Sequence, residues 1–228
     1  MFLTTGNNYT VHATETSDAF VALEAATGNE KWHFQAHPND KGQIEADIGD
    51  SPQVYTLLNK KVVGAGQKKT GIYWVLDAST GALVNKIQAV PNCKESLGLF
   101  ADSAISDDVI FVNGVNCKLP ANPAPAGEVI ALKSDASGKL WEFPPQGRID
   151  SVLSGVAVAN GVVYFHTSGP TSTLYALDAT TGQVLARVIG LAGGISGPSV
   201  SNGQIYVGTG TLFASQFPSA TFIVAIGL

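Results

Sequence analysis

LYALDATTGQVLA, residues 174–186, is one copy of a pattern that runs through the whole chain. Its apolar run Leu174-Tyr175-Ala176-Leu177 predicts a strand buried on both faces. Asp178-Ala179-Thr180-Thr181-Gly182 predicts a hairpin turn, because an Asp side chain bonds backbone amides and Gly tolerates positive φ. Residues 183–188 form the returning strand. The same order recurs as FVALEAATGNEKW (20–32), YWVLDASTGALVN (73–85) and VIALKSDASGKLW (129–141), and FIVAIGL (222–228) starts it once more. Aligned on Ala22, Val75, Ala131, Ala176 and Ala225, the copies stand 53, 56, 45 and 49 residues apart. Periods of roughly 40–50 residues in a strand-rich chain indicate propeller blades.

Two further strands fit between consecutive copies. Residues 196–200 and 204–208 are joined by Ser201-Asn202-Gly203, and Asn160-Gly161 joins 156–158 to 162–165. Each repeat is therefore one four-stranded blade. Residues 2–5, 19–24 and 30–35 read as the second to fourth strands of a first blade, and the chain ends on a third strand. The expectation is an all-β chain forming one partial propeller domain over 1–228. Its blades lie near 1–35, 51–88, 100–143, 151–188 and 196–228, with one strand short at either end. Natural sheets avoid open edges, so a truncated chain is the expectation. Its start, Met1-Phe2-Leu3-Thr4-Thr5-Gly6, lacks the basic region and apolar core of a signal peptide.

Composition narrows the function classes. Hydrophobic residues at 45% against 14% charged exclude a disordered polymer, and 25 glycines with 11 prolines suit short strands and tight turns. A net charge of −5, with Lys60-Lys61 and Lys68-Lys69 as the only adjacent lysine pairs, argues against nucleic acid as a partner. No apolar run reaches the ~18 residues of a membrane helix. His12, His33, His37 and His166 show no zinc spacing, His33 and His166 falling in strands as structural residues. Neither a serine elbow nor a phosphate loop is present.

Blade geometry groups the polar candidates. Loops after second and fourth strands emerge on one face, opposite the Asp-x-x-Thr-Gly turns. Asn7, Lys68 and Lys69 follow second strands, while Asp40 and Asp47 follow a fourth. Such a polar mouth suits a ligand site. Simpler roles stand beside this one: Asn7 as a turn residue, Asp47 and Asp50 as caps of backbone amides before Pro52, and the lysines as solvated side chains. Cys93 and Cys117 follow a fourth and a second strand, so they share that face. They form either a disulfide between neighbouring loops or two semi-buried thiols.

The repeat Ala-x-Asp-x-x-Thr-Gly-x-x-x-Trp resembles the tryptophan-docking repeat of quinoprotein propellers, the pyrroloquinoline-quinone (PQQ) dehydrogenases and their non-catalytic relatives. Residues 22–32 carry it with Glu24 for Asp, and 131–141 with one extra turn residue. Asn85 and Ala186 replace the other two tryptophans, so docking there is expected to rest on other apolar contacts. Thr4-Thr5-Gly6-Asn7-Asn8-Tyr9, Glu45-Ala46-Asp47-Ile48-Gly49-Asp50-Ser51-Pro52 and Gly64-Ala65-Gly66-Gln67-Lys68-Lys69-Thr70-Gly71 are similar, in order and spacing, to the polyvinyl-alcohol dehydrogenase-like branch.

That resemblance implies the C-terminal portion of an eight-bladed propeller, about half of it. It also implies a mouth holding PQQ and calcium. Asn7 would be a calcium ligand, Asp47 or Asp40 the general base, and Lys68 or Lys69 a hydrogen-bond donor to the quinone oxygens. Pro38-Asn39-Asp40 matches a family run in which the catalytic aspartate comes three residues later, but Gln43 stands there and cannot act as a base. The implied reaction is oxidation of secondary or polymeric alcohols, with electrons passed to a cytochrome c-type acceptor in the periplasm or outside the cell. This chain alone is expected to be inactive. The competing expectation is a non-catalytic propeller that binds protein partners with the same face.

Overall fold

The computed structural model describes residues 1–9, 12, 14–38, 45–91, 97–116, 126–145, 149–169, 172–210 and 222–227. Among these, eighteen strands form five antiparallel sheets in chain order. The first holds β1 (Phe2–Thr4), β2 (Ala19–Leu23) and β3 (Glu30–Gln35). The second runs β4 (Gln53–Leu57), β5 (Lys60–Gly66), β6 (Ile72–Asp77) and β7 (Leu83–Gln88). The third runs β8 (Ala104–Ser106), β9 (Val109–Asn116), β10 (Ala126–Lys133) and β11 (Lys139–Phe143). The fourth has β12 (Ala157–Ala159), β13 (Val162–His166), β14 (Ser172–Asp178) and β15 (Val184–Leu191). The fifth has β16 (Ser199–Ser201), β17 (Gln204–Gly208) and β18 (Ile223–Gly227). The expected order of strands is observed. Strand ends shift by a residue or more: β16 begins at Ser199 rather than at residue 196, β12 spans Ala157–Ala159 rather than 156–158, and β15 runs on to Leu191.

Local chemistry explains the hairpins. All four turns joining first to second strands have positive φ at both central residues: Leu58-Asn59, Asp107-Asp108, Asn160-Gly161 and Asn202-Gly203. That is the signature of the two-residue turn whose twist matches paired strands. In the third-to-fourth turns, the Asp77 carboxylate accepts the amides of Ser79 and Thr80, and Asp178 those of Thr180 and Thr181. These hydrogen bonds, led by the Ser79 and Thr181 hydroxyls, hold both carboxyls below their ordinary range. A register shift follows Ala22, Val75, Ala131 and Ala176, the residues on which the repeats align. Each is paired with the docking position of the next strand, namely Trp32, Asn85, Trp141 and Ala186.

Period-two alternation divides the inner strands of the three middle sheets between two neighbours. Tyr73 and Val75 pack with Ile110, Val112 and Ile130 of the third sheet. Trp74 and Leu76 turn the other way, onto Phe20 and Ile48. Phe111 and Val129 meet Val163 and Phe165, and Tyr164 meets Ile205 and Val207. Four apolar clusters thus separate five sheets. A fully buried side chain of this size contributes roughly 1.5–3 kcal/mol, so the stacked faces provide the main cohesion.

Polar clamps add register at the outer and inner ends. Trp32 Nε1 donates to the Ala78 carbonyl of the next sheet, and Trp141 Nε1 to that of Ala179. The docking position of the second sheet departs from expectation. Asn85 does not rely on apolar contact alone, since its Nδ2 donates to the Asp135 carbonyl at 2.8 Å. Ala186 has no such group, and the junction there rests on Leu174, Ala176, Ile205 and Val207. Near the inner strands, Asn113 Nδ2 donates to the Ser154 carbonyl and His166 Nε2 to that of Ser196. His166 is fully buried, a structural strand residue as its sequence context suggests.

Candidate functional site

The site grows from three segments that leave the sheets on one side. After β1, the Thr5 hydroxyl donates to Thr16 and accepts the Ala19 amide, which turns the chain at Gly6-Asn7. Between the first and second sheets, alternation buries Ala46, Ile48 and Asp50 and turns Glu45 and Asp47 outward. After β5, residues 67–71 fold back, with the Gln67 amide donating to Ile72 and the Gly71 amide to Gln67.

These segments meet at Asp47. Its Oδ1 accepts the Asn7 amide at 2.6 Å, and its Oδ2 lies 3.1 Å from Lys68 Nζ. A side chain on Gly6 would put its Cβ 2.9 Å from Asp47 Oδ1, so glycine is what lets the carboxylate approach. The Lys68 amide donates to the Asp47 carbonyl, which joins the two segments at the backbone as well. Lys68 Nζ also reaches Glu45 Oε2 at 3.3 Å and stands 5.8 Å from the Phe100 ring centre. Burial alone would pull the Lys68 ammonium down. The hydrogen bond and charge of Asp47, with Glu45 behind them, outweigh it and hold the group above its ordinary value.

Asn7, Asp47 and Lys68 are therefore brought together. Lys69 takes a different course: its φ is +61 and its amide donates to the Leu97 carbonyl in the segment leading to the third sheet. Of the adjacent lysines, Lys68 is the one paired with Asp47. Asp40, Gln43, Cys93 and Cys117 lie outside the described residues. Asp50 fills the capping role: Oδ2 accepts the Gly66 amide and the Ser103 hydroxyl, and Oδ1 the Ser103 amide. Burial pushes its carboxyl up to about 7 against the lowering effect of these bonds.

Glu45 was not among the sequence candidates, though a signal existed. It stands two residues before Asp47, so strand alternation puts both on one side. Its φ of +50 is unusual for a residue with a side chain. Such backbone strain collects at functional positions. Chemically, the mouth presents hard carboxylate and amide oxygens beside an ammonium.

Two family models match the chain. Residues 4–97 match the β-propeller domain of glucose, ethanol and alcohol dehydrogenases, and residues 125–216 match the outer membrane protein assembly factor BamB. Over both stretches the chain is similar to PQQ-type β-propeller domains. It is 27% identical to lupanine 17-hydroxylase [cytochrome c] of a Pseudomonas species over 90% of its length, and 23% identical to polyvinylalcohol dehydrogenase of a Pseudomonas species over 92%. The propeller spans 31% and 38% of those two proteins. The crystal structure of quinohemoprotein alcohol dehydrogenase from Comamonas testosteroni superposes with a TM-score of 0.69 at 18% identity. That match covers 92% of this chain and 42% of the other. Among the described residues, no helix is long and apolar enough to cross a membrane.

Proposed function

We propose that this propeller supplies one wall of the cofactor site of a PQQ-dependent dehydrogenase that oxidises secondary or polymeric alcohols. The observation that carries the reading is the Asp47–Lys68 pair, held beside Asn7 by segments of two different sheets. Electrons would leave to a cytochrome c-type acceptor, in the periplasm or outside the cell. That destination agrees with the cytochrome c named for the lupanine relative.

The residues present fit the cofactors in kind. Calcium takes carboxylate and amide oxygens, and Asn7 would be its ligand here. Among the described residues no cluster of three or more His, Cys, Asp or Glu forms, so they would hold at most part of a calcium shell. PQQ, when bound, supplies the two-electron acceptor. Asp47 would take the hydroxyl proton of the alcohol as general base, and the Lys68 ammonium, 3.1 Å away, orients that carboxylate. The Lys68 ammonium would also donate hydrogen bonds toward quinone oxygens, a role its raised affinity for the proton supports. Asp40 remains a proposed second base.

The competing reading is a protein-binding scaffold, favoured by the BamB model over residues 125–216. Calorimetric titration of the metal-free chain with PQQ in calcium buffer separates the two. Binding that disappears with Asn7→Ala, and again on calcium removal, is the expected result. No heat from a chain that circular dichroism shows to be folded would favour the scaffold.

A further inference from the structure

The Asp47–Lys68 pair sits on a buried amide that the site chemistry does not itself use. Gln67 is 1% exposed, and all three of its side-chain hydrogen bonds are internal. Nε2 donates to the Ala46 carbonyl at 2.9 Å, while Oε1 accepts the Thr70 hydroxyl at 2.8 Å and the Trp74 indole N–H at 3.1 Å. Its own carbonyl accepts the amides of Gly71 and Leu99. One residue therefore joins the segment between the first two sheets, the loop after β5, the body of β6 and the approach to the third sheet. Ala46 is the neighbour of Asp47, and Gln67 is the neighbour of Lys68.

We infer that Gln67 is the positioning residue of this site, setting the approach of Lys68 to Asp47 through the Ala46 carbonyl. No shorter or apolar side chain meets both demands. An amide donates at one end and accepts at the other, and here each end faces its complement. Leaving the Ala46 carbonyl and the Trp74 N–H unpartnered in the interior would destabilise the loop. The displacement would be felt at the charged pair, whose two members follow the tethered atoms directly. The consequence for cofactor binding rests on the function proposed above.

The test compares Gln67→Met, which keeps an unbranched chain and removes every side-chain hydrogen bond, with Asn85→Leu, which breaks an interblade bond away from the site. The readout is the side-chain ammonium resonance of Lys68 in the full chain by nitrogen-detected NMR at one fixed pH. Gln67→Met is expected to move that resonance toward where Asp47→Asn puts it, whereas Asn85→Leu leaves it in place despite a lower melting temperature. Gln67→Asn, too short to reach Ala46, should give the same displacement and serves if Gln67→Met does not fold. A Lys68 signal unchanged in a destabilised Gln67 variant would overturn the proposal. In a parallel PQQ titration, about a tenfold loss of affinity is expected from Gln67→Met and none from Asn85→Leu. Absence of PQQ binding by the unmodified chain would remove the proposed function, while the NMR comparison would still decide the role of Gln67.

Discussion

The Asn85 side chain donates to the Asp135 carbonyl at 2.8 Å, in the place where tryptophans make the equivalent bond at two other junctions. The shorter residue suits its partner turn. Gly81 and Gly182 give Trp32 and Trp141 a floor without a side chain, and a Cβ there would lie 2.6 and 2.8 Å from the indole. The turn facing Asn85 instead carries Ala136, 2% exposed with φ of +54. Asn85→Leu should cost about 1 kcal/mol, the net worth of an internal hydrogen bond. Asn85→Trp should bring no gain, because the indole meets Ala136. Urea denaturation of both variants checks this.

Two glycines with similar backbone separate strain from crowding. Gly161 has φ of +74 and nothing within 4 Å of an added Cβ, whereas Gly182 has φ of +71 and Trp141 within 2.8 Å. Gly161→Ala should cost about 1 kcal/mol for the left-handed backbone alone. Gly182→Ala should cost at least about twice that, since the ring must also move. Thermal melts of the two variants give the comparison, and equal losses would contradict the docking geometry.

Stability should fall as pH rises through the neutral range, in part because of Asp50. Burial raises its carboxyl to about 7 from an unfolded value near 3.8, so the folded chain holds the proton more tightly. The stabilising contribution is complete below about pH 4 and is lost as pH climbs toward and past 7. Asp50→Asn should flatten the dependence of the unfolding midpoint between pH 4 and 8. Unchanged steepness would show that Asp50 does not titrate there.

The adjacent lysines should behave differently toward the cofactor. Lys68 faces Asp47 and Glu45, while Lys69 has positive φ and donates its backbone amide to the Leu97 carbonyl. Lys68→Met should lower PQQ affinity by an order of magnitude or more, and Lys69→Met should leave it within about twofold. Calorimetry on both variants, with melts to confirm folding, gives the answer.

Much of this architecture can be read from local pattern. LYALDATTGQVLA announces strand, turn and strand, because alternation, the Asp-amide turn and a positive-φ glycine all act within a dozen residues. The gathering of Asn7, Asp47 and Lys68 on one side follows from counting strands, since second and fourth strands of a blade must end together. Loop residues are harder. Asp47 reads as a base by its motif, with an amide cap as the simpler alternative, and it does accept the Asn7 amide while pairing with Lys68.

The order of strands, the five sheets and the mouth where polar residues collect were determined by the sequence itself, through periodicity and turn chemistry that need no distant partner. Tertiary structure alone decided that Lys68 rather than Lys69 meets Asp47, that Glu45 joins them, and that Gln67 lies beneath. Those outcomes depend on residues 97–100, which belong to the approach to the next sheet, and on the Ala46 carbonyl twenty-one positions away from Gln67. Where a loop has no period, the direction of a side chain is set by whichever long-range hydrogen bonds close around its backbone.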